Sequence, residues 1–455
     1  MMDGPRPLAA AIVLGCGIMA SAAIATEDAE TLAQRLRERV EVSALVETEW
    51  ALGTDRGETQ KAAVQIDPEL KVALPWKMSL TTLGRARGDI VDEIEPGAPR
   101  QREISELSRR LMVGDRVDLE LRELYLRAPV GRAFLTVGKQ QIVWGKADGI
   151  KVLDVVNPQD FREFILDDFD DSRIPLWSLN AEVPIGPVQT QLVWVPDRTY
   201  HDIPEHGALY EFTAAMFRPP PPPGVRVDER PVRRPGRAVA DSDAGLRLSS
   251  FWKGWDLTLN YLYHYSDVPV FYRQLSGTPT EPVIVVNPRY ERSQLVGGTF
   301  SNAFGNLTVR GEVGFFFDHY FFTTEAADPD GVTRSNELDY VLGFDWFGFE
   351  EALASFQLFQ TWVTDADQPL HRDEIDTLST LLLRREFWND TLTMDIMWLQ
   401  SFNQADGLVR PKASYLVRDN LKVWLGADWF YGTRNGLFGE FDRNDRIVLG
   451  AEWGI

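Results

Sequence analysis

The sequence predicts an all-β protein, a transmembrane antiparallel up-and-down β-barrel of about 18 strands with short helices in its loops, and 16 strands as the alternative count. Three observations predict it. Hydrophobicity alternates with a period close to two from Val40 to the C-terminus. Connections alternate between tight turns and long links. Past the first 25 residues no run approaches the roughly 18 apolar residues of a membrane helix. In lipid every backbone N–H and C=O must find a partner inside the protein, and a sheet achieves this only when it closes on itself. A soluble sandwich also alternates, but its strands run to about five or six residues, and several segments here are much longer.

Taken in order, "LAAAIVLGCGIMASAAIA" is an apolar run ending in Ala23-Ile24-Ala25, so residues 1–25 read as a signal peptide. Val13-Leu14-Gly15-Cys16 also fits a lipid-attachment box, although the residues after Cys16 stay apolar. Cleavage after Ala25 removes the single cysteine, which excludes disulfides, thiol catalysis and cysteine-ligated metals. Residues 26–39 form a short periplasmic segment, too small for a plug domain, and residues 40–455 form the barrel.

In "VEVSALVETEW" Val40, Val42, Ala44, Val46 and Trp50 face lipid against Glu41, Ser43, Glu47 and Glu49. "WDLTLNYLYHY", "NLTVRGEVGFFFDHY" and "ELDYVLGFDWFG" repeat the pattern. The segments at Arg102 to Leu121 and Arg289 to Thr299 are open to splitting. Tight turns are expected at Leu74 to Trp76, Pro129 to Arg132, Ile185 to Pro187, Lys253 to Trp255, Phe304 to Asn306, Asn389 to Thr391 and Arg418 to Asn420. The principal extracellular loops are expected at 146–176 and 196–241. The last strand, "RIVLGAEWGI", resembles the terminal signal read by the barrel-assembly machinery, carried here by Gly450, Trp453 and Ile455.

Arg132 to Trp144 reads as an ascending strand that leaves Gly145 at the outer rim. Asn157 suits a helix N-cap, Pro158 its first turn and Asp160 the positive end of its dipole. Phe161, Phe164 and Ile165 then have helical spacing. Trp144, Asn157, Asp160, Phe161 and Phe164 are therefore the candidates for a loop that narrows the barrel mouth.

Gly138-Lys139-Gln140, Trp144-Gly145, Val156-Asn157-Pro158 and "SRIPLWSL" (Ser172 to Leu179) resemble uncharacterised proteobacterial outer-membrane barrels often encoded beside RND-type transporters, and more distantly alginate-export barrels. The resemblance implies transport of hydrophobic or polymeric compounds, with an RND-type system as a possible partner. It transfers no binding residue.

Net charge of −21 argues against nucleic acid as a partner. The lumen is expected to carry Glu41, Glu49, Asp118, Glu120 and Arg122, together with Arg310, Glu312, Asp339, Asp345 and Asp395, a mostly acidic wall that favours cations. A hydrophobic cargo would sit near Phe161 and Phe164. Glu205 to Phe217 has room for a short helix, Pro219 to Pro223 reads as a polyproline II rod, and the arginines from Arg226 to Arg237 make a basic patch that would suit lipopolysaccharide phosphates or a flap over the pore, although a solvated, partly disordered loop is the preferred reading. The acid clusters at Asp167 to Asp171, Asp328 to Asp330 and Glu440 to Asp445 lack the spaced ligands of a calcium loop, so neither metal nor cofactor is expected. No G-x-S-x-G or H-E-x-x-H motif occurs, and of the five histidines Asp318-His319 is a dyad only if a bulge intervenes. The expected function is passive movement of small hydrophobic or polar compounds through an outer-membrane channel in contact with lipids and lipopolysaccharide. An export conduit for exopolysaccharide or lipid is the alternative, and a barrel hydrolase comes last.

Overall fold

The computed structural model describes residues 39–325 and 328–455. The expected signal peptide, Cys16 and the expected periplasmic segment up to residue 38 lie outside the described residues. The chain begins with β1 (Val40–Gly53), β2 (Thr59–Ala73), β3 (Ser79–Asp89), the short β4 (Leu111–Val113), β5 (Val117–Val130), β6 (Ala133–Gln140), β7 (Leu176–Ile185) and β8 (Val188–Val195). It continues through β9 (Arg226–Glu229), β10 (Asp243–Trp252), β11 (Trp255–Tyr265), β12 (Val270–Thr278), β13 (Glu281–Arg289), β14 (Arg292–Phe304) and β15 (Leu307–Phe322). The last seven are β16 (Val332–Trp346), β17 (Ala352–Val363), β18 (Ile375–Phe387), β19 (Leu392–Ser401), β20 (Asp406–Arg418), β21 (Leu421–Tyr431) and β22 (Arg446–Gly454).

Among the described residues, 18 of these strands pair antiparallel with their chain neighbours into a closed barrel. The seam runs between β22 and β1, from Leu45 opposite Gly454 to Gly53 opposite Arg446. The four strands outside the wall are β4, which hangs on β5, and β9, β12 and β13, which form a small sheet among the loops. Every connection at one end is a tight turn, and the long links gather at the other.

The period-two pattern puts apolar side chains on the outer surface. Trp50, Leu449 and Leu425 lie side by side across β1, β22 and β21, all exposed, and such a belt is stable only against hydrocarbon. The C-terminal strand has a packing requirement as well. Gly450 points inward under the Trp424 ring, and a Cβ there would lie 2.1 Å from Trp424 Cζ2. A side chain at position 450 would therefore have to displace the Trp424 ring.

Several local expectations are corrected. The ascending strand ends at Gln140, short of Trp144. A turn at residues 347–351, between β16 and β17, joins the seven expected. No helix starts at Asn157, because the backbone N–H groups that would open it are spent elsewhere: Gln159 donates to His201 Nδ1 (2.8 Å), Asp160 to Ser172 O (2.7 Å) and Phe161 to Asp202 O (2.8 Å). Glu205 to Phe217 forms successive turns rather than a helix. The basic stretch is ordered: β9 pairs parallel with β13, and Arg234 fastens the carbonyls of Arg102, Glu103 and Arg198. Among the described residues the single α-helix is α1, Phe169–Ser172.

Replacing Gly450 by Val should lower the temperature at which the folded band disappears in a heat-modifiability gel, since overpacking costs about 1–3 kcal/mol. Trp424→Ala in the same chain should restore part of it.

Candidate functional site

The link between β6 and β7 does not stand at the rim. Residues 141–175 fold back into the barrel and cross its bore. Their neck is held by Asn157, whose Oδ1 accepts the Ile142 N–H at 2.7 Å and whose Nδ2 donates to Ile174 O at 2.8 Å. One carboxamide thus ties the point where the chain leaves the wall to the point where it returns. The tip is held by Glu312 of β15, which accepts the backbone N–H groups of Lys146, Ala147 (2.8 Å) and Leu153 (3.0 Å). Beside it Arg310 donates to Lys146 O and pairs with Asp148 and Asp345.

The inner segment has two unlike halves. Residues 142–156 present an apolar face: Ile142, Trp144, Val152, Leu153 and Val156 pack against inward side chains of β8, β11 and β14 to β17, including Val193, Leu262, Leu295, Phe316, Val341 and Phe359. Trp144 and Leu153 have no exposure at all, each worth about 2 kcal/mol of burial. Trp144 also donates to Gln191 at 3.0 Å. This half seals its side of the bore.

Residues 157–173 are polar on the face turned to β1, β2, β3 and β5. Arg122 donates to the carbonyls of Asp170, Asp171 and Arg173 at 3.0, 3.2 and 3.1 Å. Arg85 joins Asp67 (2.7 Å) to Asp171. Lys61 lies 3.0 Å from Glu49 and 2.5 Å from Glu163. Arg446 reaches Glu163 at 3.4 Å and Asp428 at 2.7 Å. Where the first half is glued by apolar contact, this half is clamped by ion pairs.

Two solvent-connected cavities lie along the clamped side. The one nearer the long loops is bounded by Asp89, Asp92, Glu95, Asp118 and Arg162. The one nearer the tight turns is bounded by Glu47, Glu49, Arg85, Asp167 and Asp171. Lys61, Ala63, Arg87 and Glu163 border both. Four cationic and six acidic side chains line the first cavity, three and six the second.

The electrostatics of the segment follow from this placement. Burial works against charge on Glu163, but Lys61 and Arg446 outweigh it and hold its carboxyl down at about 2. Burial, with Glu163 and Asp171, pushes Asp167 up to about 7 against the pull of Lys61. Burial takes His201 down to about 3, in keeping with the neutral ring that accepts the Gln159 N–H.

All ten residues expected in the lumen sit at inward register positions, but several serve the inner segment rather than open water. Glu312, Arg310 and Arg122 are its fasteners. Asp118 binds Arg87 at 3.0 Å, Glu120 lies near Lys139 and Arg122, and Asp345 and Glu49 are paired as above. Asp339, on β16, lies beside Thr361 of β17. Asp395 lies opposite Arg384 and Lys412, and Glu41 opposite Lys71 near the turn end. Phe164 is spent in an aromatic cluster with Phe430, Phe438 and Phe441, its ring 4.9 Å from that of Phe441, and Phe161 stacks edge-on to His201 at 5.0 Å. Both rings are engaged in packing within the protein. Asp160 is bound to Arg162 and faces Asp202.

The bulge that the Asp318-His319 dyad required is present, at the register shift after Phe316. It sends the two apart: Asp318 pairs with Arg334 at 3.0 Å and His319 faces Glu337 at 3.5 Å. Among the described residues no group of His, Cys, Asp or Glu is placed to hold a metal.

Lys61, Arg87 and Glu163 were not singled out from the sequence. A signal existed for the sealed half, since Val313 to Phe317 and Tyr340 to Leu342 are apolar on both faces, which a wet lumen would not tolerate.

The family described as "Protein of unknown function (DUF1302)" matches residues 113–436. Curated proteins provide no match. Among solved structures, the outer membrane protein OpdK from Pseudomonas aeruginosa aligns at a TM-score of 0.51 and 10% identity, over 92% of this chain and 99% of its own. OccK2 (OpdF) from Pseudomonas aeruginosa, in complex with glucuronate, aligns at 0.50 and 10%, over 92% and 98%. Acinetobacter baumannii OccAB3 aligns at 0.50 and 10%, over 91% and 99%. At such identity the likeness is one of fold.

Glu312→Ala should leave three backbone donors of the inner segment without their acceptor, at about 1–3 kcal/mol for each that stays dry. Limited proteolysis in detergent should then cut within residues 146–153, where the parent protein resists.

Proposed function

This chain belongs to the DUF1302 family, and we propose that it is an outer-membrane diffusion channel for small polar solutes, with cations favoured over anions. The observation that carries the proposal is the pair of polar cavities stacked along β1, β2, β3 and β5 and meeting at Lys61, Ala63, Arg87 and Glu163. The exposed apolar belt supports a place in lipid, and by the usual asymmetry of such barrels the tight turns face the periplasm and the long loops the exterior. Acids outnumber cations around both cavities, and a charged cleft with low-dielectric walls concentrates ions of opposite sign. The dry half of the inner segment speaks for small solutes rather than a polymer, because it removes much of the bore from use. Lipid and lipopolysaccharide are the partners this placement implies.

Planar-bilayer recording tests the proposal. The purified protein should give discrete channels whose reversal potential in a salt gradient has the sign of cation preference, and removal of residues 146–168 should enlarge the conductance. Membranes that stay silent with both proteins would refute it.

The pH dependence has a definite sign. Asp167 is mostly neutral below its value of about 7 and charged above it, so the cation-to-anion permeability ratio should rise as pH increases through neutrality. Asp167→Asn should flatten that rise.

A further inference from the structure

At the boundary of the two cavities Lys61 of the wall meets Glu163 of the inner segment at 2.5 Å. Separating a buried pair is costly chiefly because a charge is left uncompensated. Here each member has a second partner on the wall. Lys61 keeps Glu49, on the adjoining strand β1, at 3.0 Å. Glu163 keeps Arg446, on β22, at 3.4 Å. Ala63, opposite Glu49 on the same inner face, is too short to fill the space between them. The contact is thus built to part without stranding either charge.

Once parted, the opening has two unlike sides. The wall offers Lys61 and Arg87, the inner segment Glu163 and Asp167, with Asp118 and Glu49 partly offsetting the wall cations. A neutral solute gains nothing from opposed charges. A simple anion is attracted by one side and repelled by the other, and so is a simple cation. A solute bearing both signs meets both sides at once.

We propose that the Lys61–Glu163 contact is the selectivity gate of the path, and that it admits small zwitterionic solutes, ammonium toward Glu163 and carboxylate toward Lys61 and Arg87, ahead of neutral solutes of the same size. This rests on the channel reading above and adds the solute class to it.

Swelling of proteoliposomes in isosmotic serine and in isosmotic erythritol, a neutral polyol of similar size, tests it. The parent protein should admit serine several-fold faster than erythritol. Glu163→Gln should speed erythritol entry and erase the preference. Glu49→Gln, which takes away the resting partner of Lys61, should slow both solutes. Equal rates for the two solutes in the parent protein overturn the proposal whatever the variants do, and so does a preference that survives Glu163→Gln in protein whose gel shift shows a folded barrel. Vesicles that admit neither solute, even with residues 146–168 removed, would sink the channel reading itself and this inference with it.

Discussion

Everything at the site depends on how a length of irregular chain is kept inside a barrel. Residues 141–175 bring their own N–H and C=O groups into the bore, and buried groups of this kind must be paired. The wall supplies the partners from its inner face: Glu312 for three N–H groups at the tip and Arg122 for three carbonyls near the return. Asn157 closes the neck from within the segment. Strand residues that look like pore lining are therefore the anchors of what blocks the pore.

The two halves of the segment divide the labour. Apolar packing of Trp144 and Leu153 is dry and offers a solute nothing. Ion pairs on the other side are exchangeable, because water or a charged solute can replace either partner. A passage through this barrel thus belongs beside β1, β2 and β3, where Lys61 and Arg85 hold the segment, and not beside β14 to β17, where Leu295 and Phe316 hold it. The same division explains why the aromatic residues Phe161 and Phe164 are structural: their rings lock the segment to the 432–445 link and to His201.

The barrel itself was legible residue by residue. Alternation placed Trp50, Leu449 and Trp453 outward, and it put Glu312, Asp339 and Asp395 inward. Tight and long connections were readable because their chemistry is local. The path of residues 141–175 was not, for an equally physical reason. Asn157-Pro158 carries a good helix-start signal, but that signal competes with long-range partners at Ser172 and Asp202, and three such hydrogen bonds with the neck clasp outweigh one cap.

The sequence by itself determined the closed sheet, its outer face and the side to which each strand residue points, since a period of two and the need to pair every backbone group in lipid leave no other solution. Only the tertiary structure decided what fills the cylinder. Lys61 and Glu163 lie 102 residues apart in the numbering, and no local rule joins them. They meet because a segment anchored on β15 must run back across the bore to β7, and its return half lies against the charged inner faces of β2, β3 and β22.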